Sequence, residues 1–288
     1  MKIVITGGTG QLGSELKDVF GDQIGHEVTF LDRSDLDLSK PEEISGKLMA
    51  INPDAIVHAG AYTAVDQAEG ERELADRINH MATHAIAEFA KKTSAKLIYI
   101  STDYVFQGNV DEALKEDYPT NPINVYGETK RMGELAALGQ VKDAIIIRTS
   151  WVYSVYGKNF VKTMLDLMRS LPEINVVANQ IGSPTYAYDL AILIKRIVDL
   201  DLWVGGVYHY SNEGRISWYD FAIAIRDLSG LACRVNPIDS SGFPTAAKRP
   251  GFSLLDKGKV KSVFGIEVPF WKDSLIQMLN KIAQNPLT

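Results

Sequence analysis

Cysteine is almost absent from this chain, since Cys233 is the only one in 288 residues. One thiol allows no intrachain disulfide and no thiolate metal site, and we expect Cys233 to be a small core residue. No apolar run approaches the ~18 residues that a membrane-spanning helix needs. The first residues enter a strand pattern directly, without the apolar segment and cleavage site of a signal peptide. These absences predict a cytoplasmic protein with no membrane partner.

Clustered positive charge is also missing. The formal net charge is −6, from 30 basic and 36 acidic side chains, and no run of Lys and Arg occurs. This balance argues against a nucleic-acid partner. It does not exclude a phosphate-bearing small molecule, because helix N-termini bind anions locally whatever the net charge. The composition, 45% hydrophobic and 23% charged, is that of one large globular domain, or of a domain with a smaller lobe.

A glycine-rich turn follows the first predicted strand. Residues 2–6 form a short β-branched run, and Gly7, Gly10 and Gly13 follow it, before apolar residues at helical spacing. Strand, glycine turn and helix are the context of the dinucleotide-binding fingerprint. Glycine lets backbone N–H groups approach a pyrophosphate, which then lies at the helix N-terminus. A flexible loop would contain the same glycines, but the flanking strand and helix favour a dinucleotide site.

Two charged residues end the second predicted strand, which spans residues 27–31. Asp32 stands close to the position at which an acidic residue binds the adenosine ribose of NAD. Arg33 beside it is suited to the 2′-phosphate of NADP. Both cofactors therefore stay open, and either residue would also serve as a plain charge at a strand end. Asp37, in the loop that follows, is placed to bond the adenine amino group.

Strands and helices alternate through the first half of the chain. Further strands are predicted at 55–58, 96–100 and 144–148, with a long helix over about 71–92. This order predicts an α/β fold with a Rossmann-type, doubly wound parallel sheet and right-handed crossovers. Ligands of such sheets bind beyond the carboxyl ends of the strands. The segments 59–63 and 101–106 both fall there.

The alternation loosens in the second half, which predicts a smaller substrate lobe interleaved with the first domain. The dinucleotide-binding domain is expected to comprise residues 1–151 plus about 178–211. The substrate lobe is expected to comprise about 152–177 and 212–288.

Tyr126 and Lys130 stand four residues apart in a helix predicted over about 126–138. Both side chains then project from one helix face, one turn apart. A solvated helix face would show the same pattern. The position of this helix after the 101–106 segment, at the carboxyl edge of the sheet, favours a catalytic pair.

Several stretches, in order along the chain, make the pattern specific. They are Gly7–Gly13, Ala61–Asp66, Ser101–Phe106, Asn124–Lys130, Arg148–Tyr153, Asn159-Phe160, Gly182–Thr185 and Arg249-Pro250. With them the sequence resembles the extended short-chain dehydrogenases/reductases, and within that superfamily the dTDP-4-dehydrorhamnose reductase family. The resemblance covers nearly the whole chain.

The resemblance implies a catalytic triad of Thr102, Tyr126 and Lys130. It also implies reduction by NADPH or NADH of the C4 keto group of dTDP-4-dehydro-L-rhamnose, a dTDP-linked 4-keto-6-deoxy sugar, to dTDP-L-rhamnose. Tyr126 would donate the proton, with its pKa lowered by Lys130. Lys130 would also hold the nicotinamide ribose, and Thr102 would orient the carbonyl oxygen by a hydrogen bond.

The residues expected to contact cofactor and substrate fall into two sets. The cofactor set is Gly7, Gly10, Gln11, Leu12, Gly13, Asp32, Arg33, Asp37, Leu38, Ala59, Gly60, Ala61, Tyr62, Tyr126 and Lys130. The substrate set is Thr102, Asp103, Tyr104, Trp151, Asn159 and Arg249. For Arg249 a solvated loop charge, and for Trp151 an ordinary core position, are the competing interpretations.

Two departures from the family pattern bear on cofactor and metal. The segment His58-Ala59-Gly60-Ala61 stands where the family usually has Asn-Ala-Ala-Ala, which leaves NADH and NADPH unresolved. Some members bind magnesium at a dimer contact, and Glu15 matches one such position. Tyr188 stands where a second acid is expected, so no metal site is predicted. A homodimer is one oligomeric state that the resemblance allows.

Two other functions stay open. One is reduction or epimerisation of another nucleotide-activated sugar, because the triad is common to the superfamily. The other is a non-catalytic dinucleotide-binding subunit, of the kind that regulates methionine adenosyltransferase. The intact triad favours an enzyme over the second.

Overall fold

The main sheet is parallel throughout. The computed structural model describes residues 1–21, 25–200 and 202–284, and within them six strands form this sheet in the order β10-β5-β4-β3-β1-β2. The strands are β1 (Lys2–Thr6), β2 (Glu27–Leu31), β3 (Ala55–His58), β4 (Lys96–Thr102), β5 (Ile145–Thr149) and β10 (Gly206–Tyr210). The strand order reverses direction between β1 and β3. The predicted Rossmann-type α/β fold is confirmed.

Helices cover both faces of this sheet. One face carries α1 (Gln11–Phe20), α8 (Ala187–Asp199) and α10 (Gly258–Phe264), and the other carries α2 (Pro41–Ile51), α5 (Ala82–Thr93) and α6 (Val125–Gln140). Two short helices, α3 (Val65–Ala68) and α4 (Arg72–Asp76), precede α5. Successive strand residues point to opposite faces. Ile5 accordingly joins the core under α1, whereas Val4 joins the core under α2.

A third core lies among the elements of the second half. Its helices are α7 (Phe160–Ser170), α9 (Trp218–Leu228) and α11 (Trp271–Gln284). Its strands pair as β7 (Glu173–Val177) with β12 (Arg234–Ile238), β6 (Val152–Tyr153) with β9 (Thr185–Tyr186), and β8 (Ile181–Gly182) with β11 (Ile216–Ser217). Tyr153, Leu165, Phe221 and Leu275 are fully or almost fully buried within it.

The division of the chain into two lobes stays a prediction. The helix α10, which the sequence assigned to the substrate lobe, packs Val260 and Phe264 into the core of the main sheet. The final stretch of that predicted lobe, 285–288, lies outside the described residues.

The long helix predicted over about 71–92 forms as a continuous helical segment, in which a π-helical turn, Arg77–Met81, joins α4 to α5. The N-cap of α2 is Lys40, and Ser39 before it donates through N and Oγ to Asp37 Oδ1 at 3.0 and 2.8 Å. None of the helices in the described ranges is long and apolar enough to cross a membrane.

Candidate active site

A cleft of about 790 Å³ opens at the carboxyl edge of the main sheet. It lies where the strand order reverses, which is where open α/β sheets bind ligands. The predicted residues that line it are Gly7, Gly10, Gln11, Leu12, Gly13, Asp32, Arg33, Asp37, Leu38, Ala59, Gly60, Ala61, Tyr62, Thr102, Asp103, Tyr104, Tyr126, Lys130 and Trp151. The structure thus brings the predicted dinucleotide turn and the predicted triad to one cleft.

The turn between β1 and α1 depends on glycine at two positions. Gly7 has a φ of +73°, and a Cβ there would lie 2.7 Å from Gly60 Cα. A Cβ at Gly13 would lie 2.2 Å from the carbonyl oxygen of Gly7. The N-cap of α1 is Gly10, which has no side chain to accept from the first N–H groups of the helix. Bare backbone at a helix N-terminus fits the pyrophosphate of a dinucleotide.

The two charged residues after β2 are arranged differently. Asp32 Oδ1 accepts from the N and Oγ of Ser34 at 2.7 and 2.6 Å, and these bonds hold its pKa below the usual range. One Asp32 oxygen is therefore engaged in its own turn. Arg33 lines the cleft with an exposed side chain, so its guanidinium is accessible to a ligand.

Asn79 fixes the cofactor-facing loop after β3. Tyr62 N donates to Asn79 Oδ1 at 2.8 Å, and Asn79 Nδ2 donates to Tyr62 O at 3.1 Å and to Thr129 Oγ1 at 3.0 Å. Asn79 lies in the π-helical turn and is buried. The sequence showed it only as a poor helix former, and its role in positioning the loop was missed.

His58, which ends β3, is a structural histidine. Its Nδ1 lies 2.7 Å from Thr6 Oγ1, and its Nε2 lies 3.1 Å from Thr83 Oγ1. Gly60 N donates to Thr6 Oγ1 at 3.1 Å, so this chain of hydrogen bonds also supports the cofactor loop. Burial lowers the pKa of His58 to about 3, which keeps the ring neutral.

The helix α6 presents the Tyr126–Lys130 pair to the cleft. Asn124 caps α6 through a 2.8 Å hydrogen bond from Gly127 N to its Oδ1. The close approach of α6 to the loop after β4 requires Gly127, where a Cβ would lie 2.2 Å from Tyr104 O. Both catalytic candidates therefore sit in the first two turns of a helix that packs directly on the segment containing Thr102.

Lys130 is buried, with 2% of its surface exposed. Its Nζ donates to the carbonyl oxygen of Ile100 at 2.6 Å and lies 4.1 Å from the ring centroid of Tyr99. Burial lowers the pKa of Lys130 to about 7, and the charge of Glu134 acts in the opposite direction. The charge of this lysine thus depends on pH near neutrality.

The pKa of Tyr126 moves in the direction opposite to the sequence expectation. Burial raises it to about 12, and a hydrogen bond with Thr102 opposes this shift. The expected lowering by Lys130 is not found, and Lys130 Nζ instead donates to Ile100 O and faces the ring of Tyr99. The phenol is therefore protonated at neutral pH, which is the form that a proton donor requires.

The residues after Thr102 complete one wall of the cleft. Thr102 Oγ1 donates to Asp103 Oδ1 at 3.1 Å and accepts from Tyr104 N at 3.2 Å. Asp103 Oδ2 is buried and has no hydrogen-bond partner among the described residues, and burial raises the pKa of Asp103 to about 6. The Tyr104 ring meets Tyr126 edge to face at 5.6 Å. An unpaired carboxylate oxygen at this wall suits a ligand hydroxyl.

Trp151 forms the wall that faces the second half of the chain. Its φ of +48° is rare for a residue with a side chain. Its indole stacks on Trp218 with ring centroids 3.7 Å apart and planes inclined by 14°. Gly182 leaves room for this stack, since a Cβ there would lie 2.9 Å from Trp151. The strained backbone and the stack together fix a flat apolar surface in the cleft.

Asn159 and Arg249 lie outside the cleft lining. Asn159 caps α7 by accepting from Lys162 N at 3.1 Å, and its amide donates to Gln11 Oε1 at 3.0 Å. Arg249 binds Asp66 with its Nη2 2.6 Å from Oδ2. Both side chains are thus already engaged within the chain, and their roles toward substrate stay predictions.

The sequence did not indicate two further features of the cleft. Lys158 lines it as a basic residue, but its stretch shows no phosphate motif. Trp218 is far from Trp151 in sequence, so no local pattern could pair them.

Within the described ranges, no cluster of three or more His, Cys, Asp or Glu side chains could hold a metal ion. Glu15 accepts from Ser154 Oγ at 2.5 Å and lies 3.5 Å from Lys281 Nζ.

Known proteins are similar to this chain in sequence and structure over nearly their whole length. The family model described as RmlD substrate binding domain matches residues 1–284. The dTDP-4-dehydrorhamnose reductase of Aggregatibacter actinomycetemcomitans is 40% identical over 286 residues, covering 95% of this chain and 97% of the relative.

Two solved structures agree with the present one. A dTDP-4-dehydrorhamnose reductase of Clostridium acetobutylicum has a TM-score of 0.94 at 35% identity, covering 98% of this chain and 100% of that chain. The dTDP-4-dehydrorhamnose reductase of Bacillus anthracis, in complex with NADP, has a TM-score of 0.91 at 37% identity, covering 97% and 99%. The chain therefore belongs to the RmlD substrate binding domain family, together with relatives that carry the name dTDP-4-dehydrorhamnose reductase.

Proposed function

We propose that this protein uses NADPH to reduce the C4 keto group of dTDP-4-dehydro-L-rhamnose, giving dTDP-L-rhamnose. One observation carries the proposal. Thr102, Tyr126 and Lys130 line the same cleft as the bare glycine turn at the N-terminus of α1, so a dinucleotide and a carbonyl substrate can meet there. The names of full-length relatives support the substrate.

The residues of the chain orient the reacting groups and supply a proton. Bound NADPH supplies the hydride, and that chemistry belongs to the cofactor. Tyr126 holds its proton because burial raises its pKa to about 12, and it transfers this proton to the C4 oxygen as negative charge develops there. Thr102, which opposes the rise in the pKa of Tyr126, can orient the same oxygen. Lys130, one helical turn away, lines the cleft and is the residue that would hold the nicotinamide ribose.

The opposite wall provides candidate substrate contacts. The unpaired Oδ2 of Asp103 can accept from a sugar hydroxyl, and Trp151 offers a flat face to the sugar or the base. Arg249 carries the charge suited to the diphosphate and stands at the rim beside Tyr104. Each of these roles is part of the proposal.

NADPH is favoured over NADH by the surroundings of the β2 turn. One oxygen of Asp32 is engaged with Ser34, whereas Arg33 extends into the cleft. A guanidinium is suited to a 2′-phosphate. The Bacillus anthracis relative was crystallised with NADP, which is consistent with this preference.

Turnover on a panel of sugar nucleotides tests the proposal. NADPH oxidation is expected with the dTDP-linked 4-keto-6-deoxy sugar, and at a much lower rate with the corresponding UDP- and GDP-linked sugars. Faster turnover of another nucleotide sugar would favour the alternative reductase or epimerase. NADPH binding without turnover of any such sugar would favour a non-catalytic regulatory subunit. The cytoplasmic location and the homodimer stay predictions of the sequence.

A further inference from the structure

A fully buried carboxylate, Glu134, lies on the helix that carries Tyr126 and Lys130. Its exposure is 0%. It accepts from Ser101 Oγ at 2.6 Å, and from Arg148 through Nε and Nη2, both at 2.8 Å. Arg131 Nη1 adds a bond at 3.0 Å from the partly exposed side. Both carboxylate oxygens are thus saturated with donors, which indicates an ionised group.

The cluster around Glu134 spans three strands of the main sheet, since its partner Arg148 in turn contacts His209. Ser101 on β4, Arg148 on β5 and His209 on β10 are register neighbours across the sheet. His209 Nδ1 lies 3.0 Å from Leu114 O, which requires a proton on Nδ1. Nε2 is then the acceptor that faces Arg148 Nη1 at 3.4 Å. Burial lowers the pKa of His209 to about 3, so this ring is neutral and Glu134 balances the arginine charge.

The cluster around Glu134 adjoins the catalytic candidates along α6 and at the end of β4. Tyr126, Lys130 and Glu134 recur at every fourth residue, so they follow one face of α6. Ser101, which donates to Glu134, directly precedes Thr102. The carboxylate therefore ties the helix of the Tyr–Lys pair to the strand end that presents Thr102.

The charged and titratable groups around Lys130 come from three elements. Tyr126 and Glu134 lie on its own helix, Tyr99 faces its Nζ from β4, and His58 is near enough on β3 for Lys130 to lower its pKa. Glu134 is the group among them that favours the ammonium against burial. Tyr126 and Tyr99 are neutral phenols, because burial raises the pKa of each.

We propose that Glu134 is a positioning residue, which fixes α6 against β4 and β5 and so sets the position of Tyr126 and Lys130 relative to Thr102. This inference rests on the proposed function. Stability alone does not account for the cluster, since desolvation offsets most of the attraction within a buried ion pair. Its specific effect is to set the distance between the proton donor and Thr102, while its negative charge favours the ammonium of Lys130 against burial.

The test compares Glu134→Gln with Glu128→Gln. Glu128 lies on the same helix and also binds an arginine, Arg72, at 2.8 Å, but both side chains are exposed. In Glu134→Gln, kcat is expected to fall about 10- to 100-fold with the KM for NADPH unchanged. The basic limb of the pH profile of kcat is expected about one unit lower in this variant, because the negative charge that favours the Lys130 ammonium is lost. Glu128→Gln should retain the wild-type rate and pH profile.

A second variant controls for misfolding, because Glu134→Gln leaves the Arg148 charge buried and unpaired. The double variant Glu134→Gln with Arg148→Gln removes both charges. The basic limb of its pH profile should return toward the wild-type position. Its kcat should stay low, because the bidentate bond between Glu134 and Arg148 is lost. A wild-type kcat and pH profile in either folded variant would overturn the inference, as would failure of the double variant to fold. Absence of turnover in the wild type would contradict the proposed function instead.

Discussion

Nη2 of Arg249 lies 2.6 Å from Oδ2 of Asp66, and Nη1 lies 3.1 Å from Oδ1. This bidentate pair, reinforced by a 3.0 Å bond from Ala247 N to Asp66, holds the 246–250 segment against α3 at the rim of the cleft. The guanidinium lowers the pKa of Asp66, so the pair stays ionised. A preformed arginine at this rim is suited to a diphosphate.

Replacing Arg249 should weaken binding of the sugar nucleotide. In Arg249→Gln we expect the KM for the dTDP-linked sugar to rise about 10- to 100-fold, as for the loss of a charge-assisted hydrogen bond. The dissociation constant of NADPH should not change. Lys248→Gln is the matched control, since that neighbouring side chain is exposed and its backbone bond to Asn124 remains. Equal KM values in the two variants would contradict a phosphate-binding role for Arg249.

Trp218 should matter to substrate binding although it is expected to act through Trp151. The stack at 3.7 Å supports the indole that lines the cleft. We expect Trp218→Ala to raise the KM of the sugar nucleotide about 3- to 10-fold through loss of aromatic contact. Trp218→Phe keeps a stacking ring and should stay near the wild type. A larger effect of the Phe variant than of the Ala variant would show that the stack is not what positions Trp151.

Arg33 should determine the choice of cofactor. Removing the guanidinium in Arg33→Ala is expected to raise the KM for NADPH about tenfold and to leave the KM for NADH unchanged. Lys40→Ala removes an exposed charge nearby, which pairs with Glu43 at 3.3 Å, and should change neither value. An unchanged NADPH-to-NADH ratio in Arg33→Ala would remove this residue from the cofactor site.

The buried histidines should make the chain less stable in acid. Burial lowers the pKa of His58 and of His209 to about 3, whereas unfolded histidine titrates near about 6.5. Between these values the unfolded state binds more protons, so stability falls as the pH drops below about 6.5, by about 1.4 kcal/mol per pH unit for each histidine. Denaturant unfolding at pH 5 and pH 7 measures this loss. His209→Gln does not titrate and should show a smaller loss, and an equal loss would exclude His209 as a source.

Local patterns were enough to predict the sheet and the cofactor turn. The β-branched run before Gly7 and the helical spacing after Gly13 are short-range signals, and both elements formed as predicted. The cap of α6 by Asn124 and of α7 by Asn159 follows the same local chemistry. These contacts depend on residues within a few positions of one another.

Contacts between distant segments could not be predicted from the sequence. The π-helical turn contains Asn79, which bonds Tyr62 and Thr129, and neither partner is near it in the chain. The predicted shift of the Tyr126 pKa was wrong in direction, because burial, a property of the folded chain, raises that pKa. The strand β12 was missed because its pairing with β7 overrides a sequence that contains Pro237.

The phenol of Tyr126 carries the central claim, since it is the proposed proton donor. The decisive measurement is the rate of NADPH oxidation with the dTDP-linked 4-keto-6-deoxy sugar, in the wild type and in Tyr126→Phe. The wild type should turn over only when the sugar is present. Tyr126→Phe should lose about 10²- to 10⁴-fold in kcat, the usual contribution of a general acid, while its affinity for NADPH stays the same. A Tyr126→Phe rate close to that of the wild type would contradict the assignment.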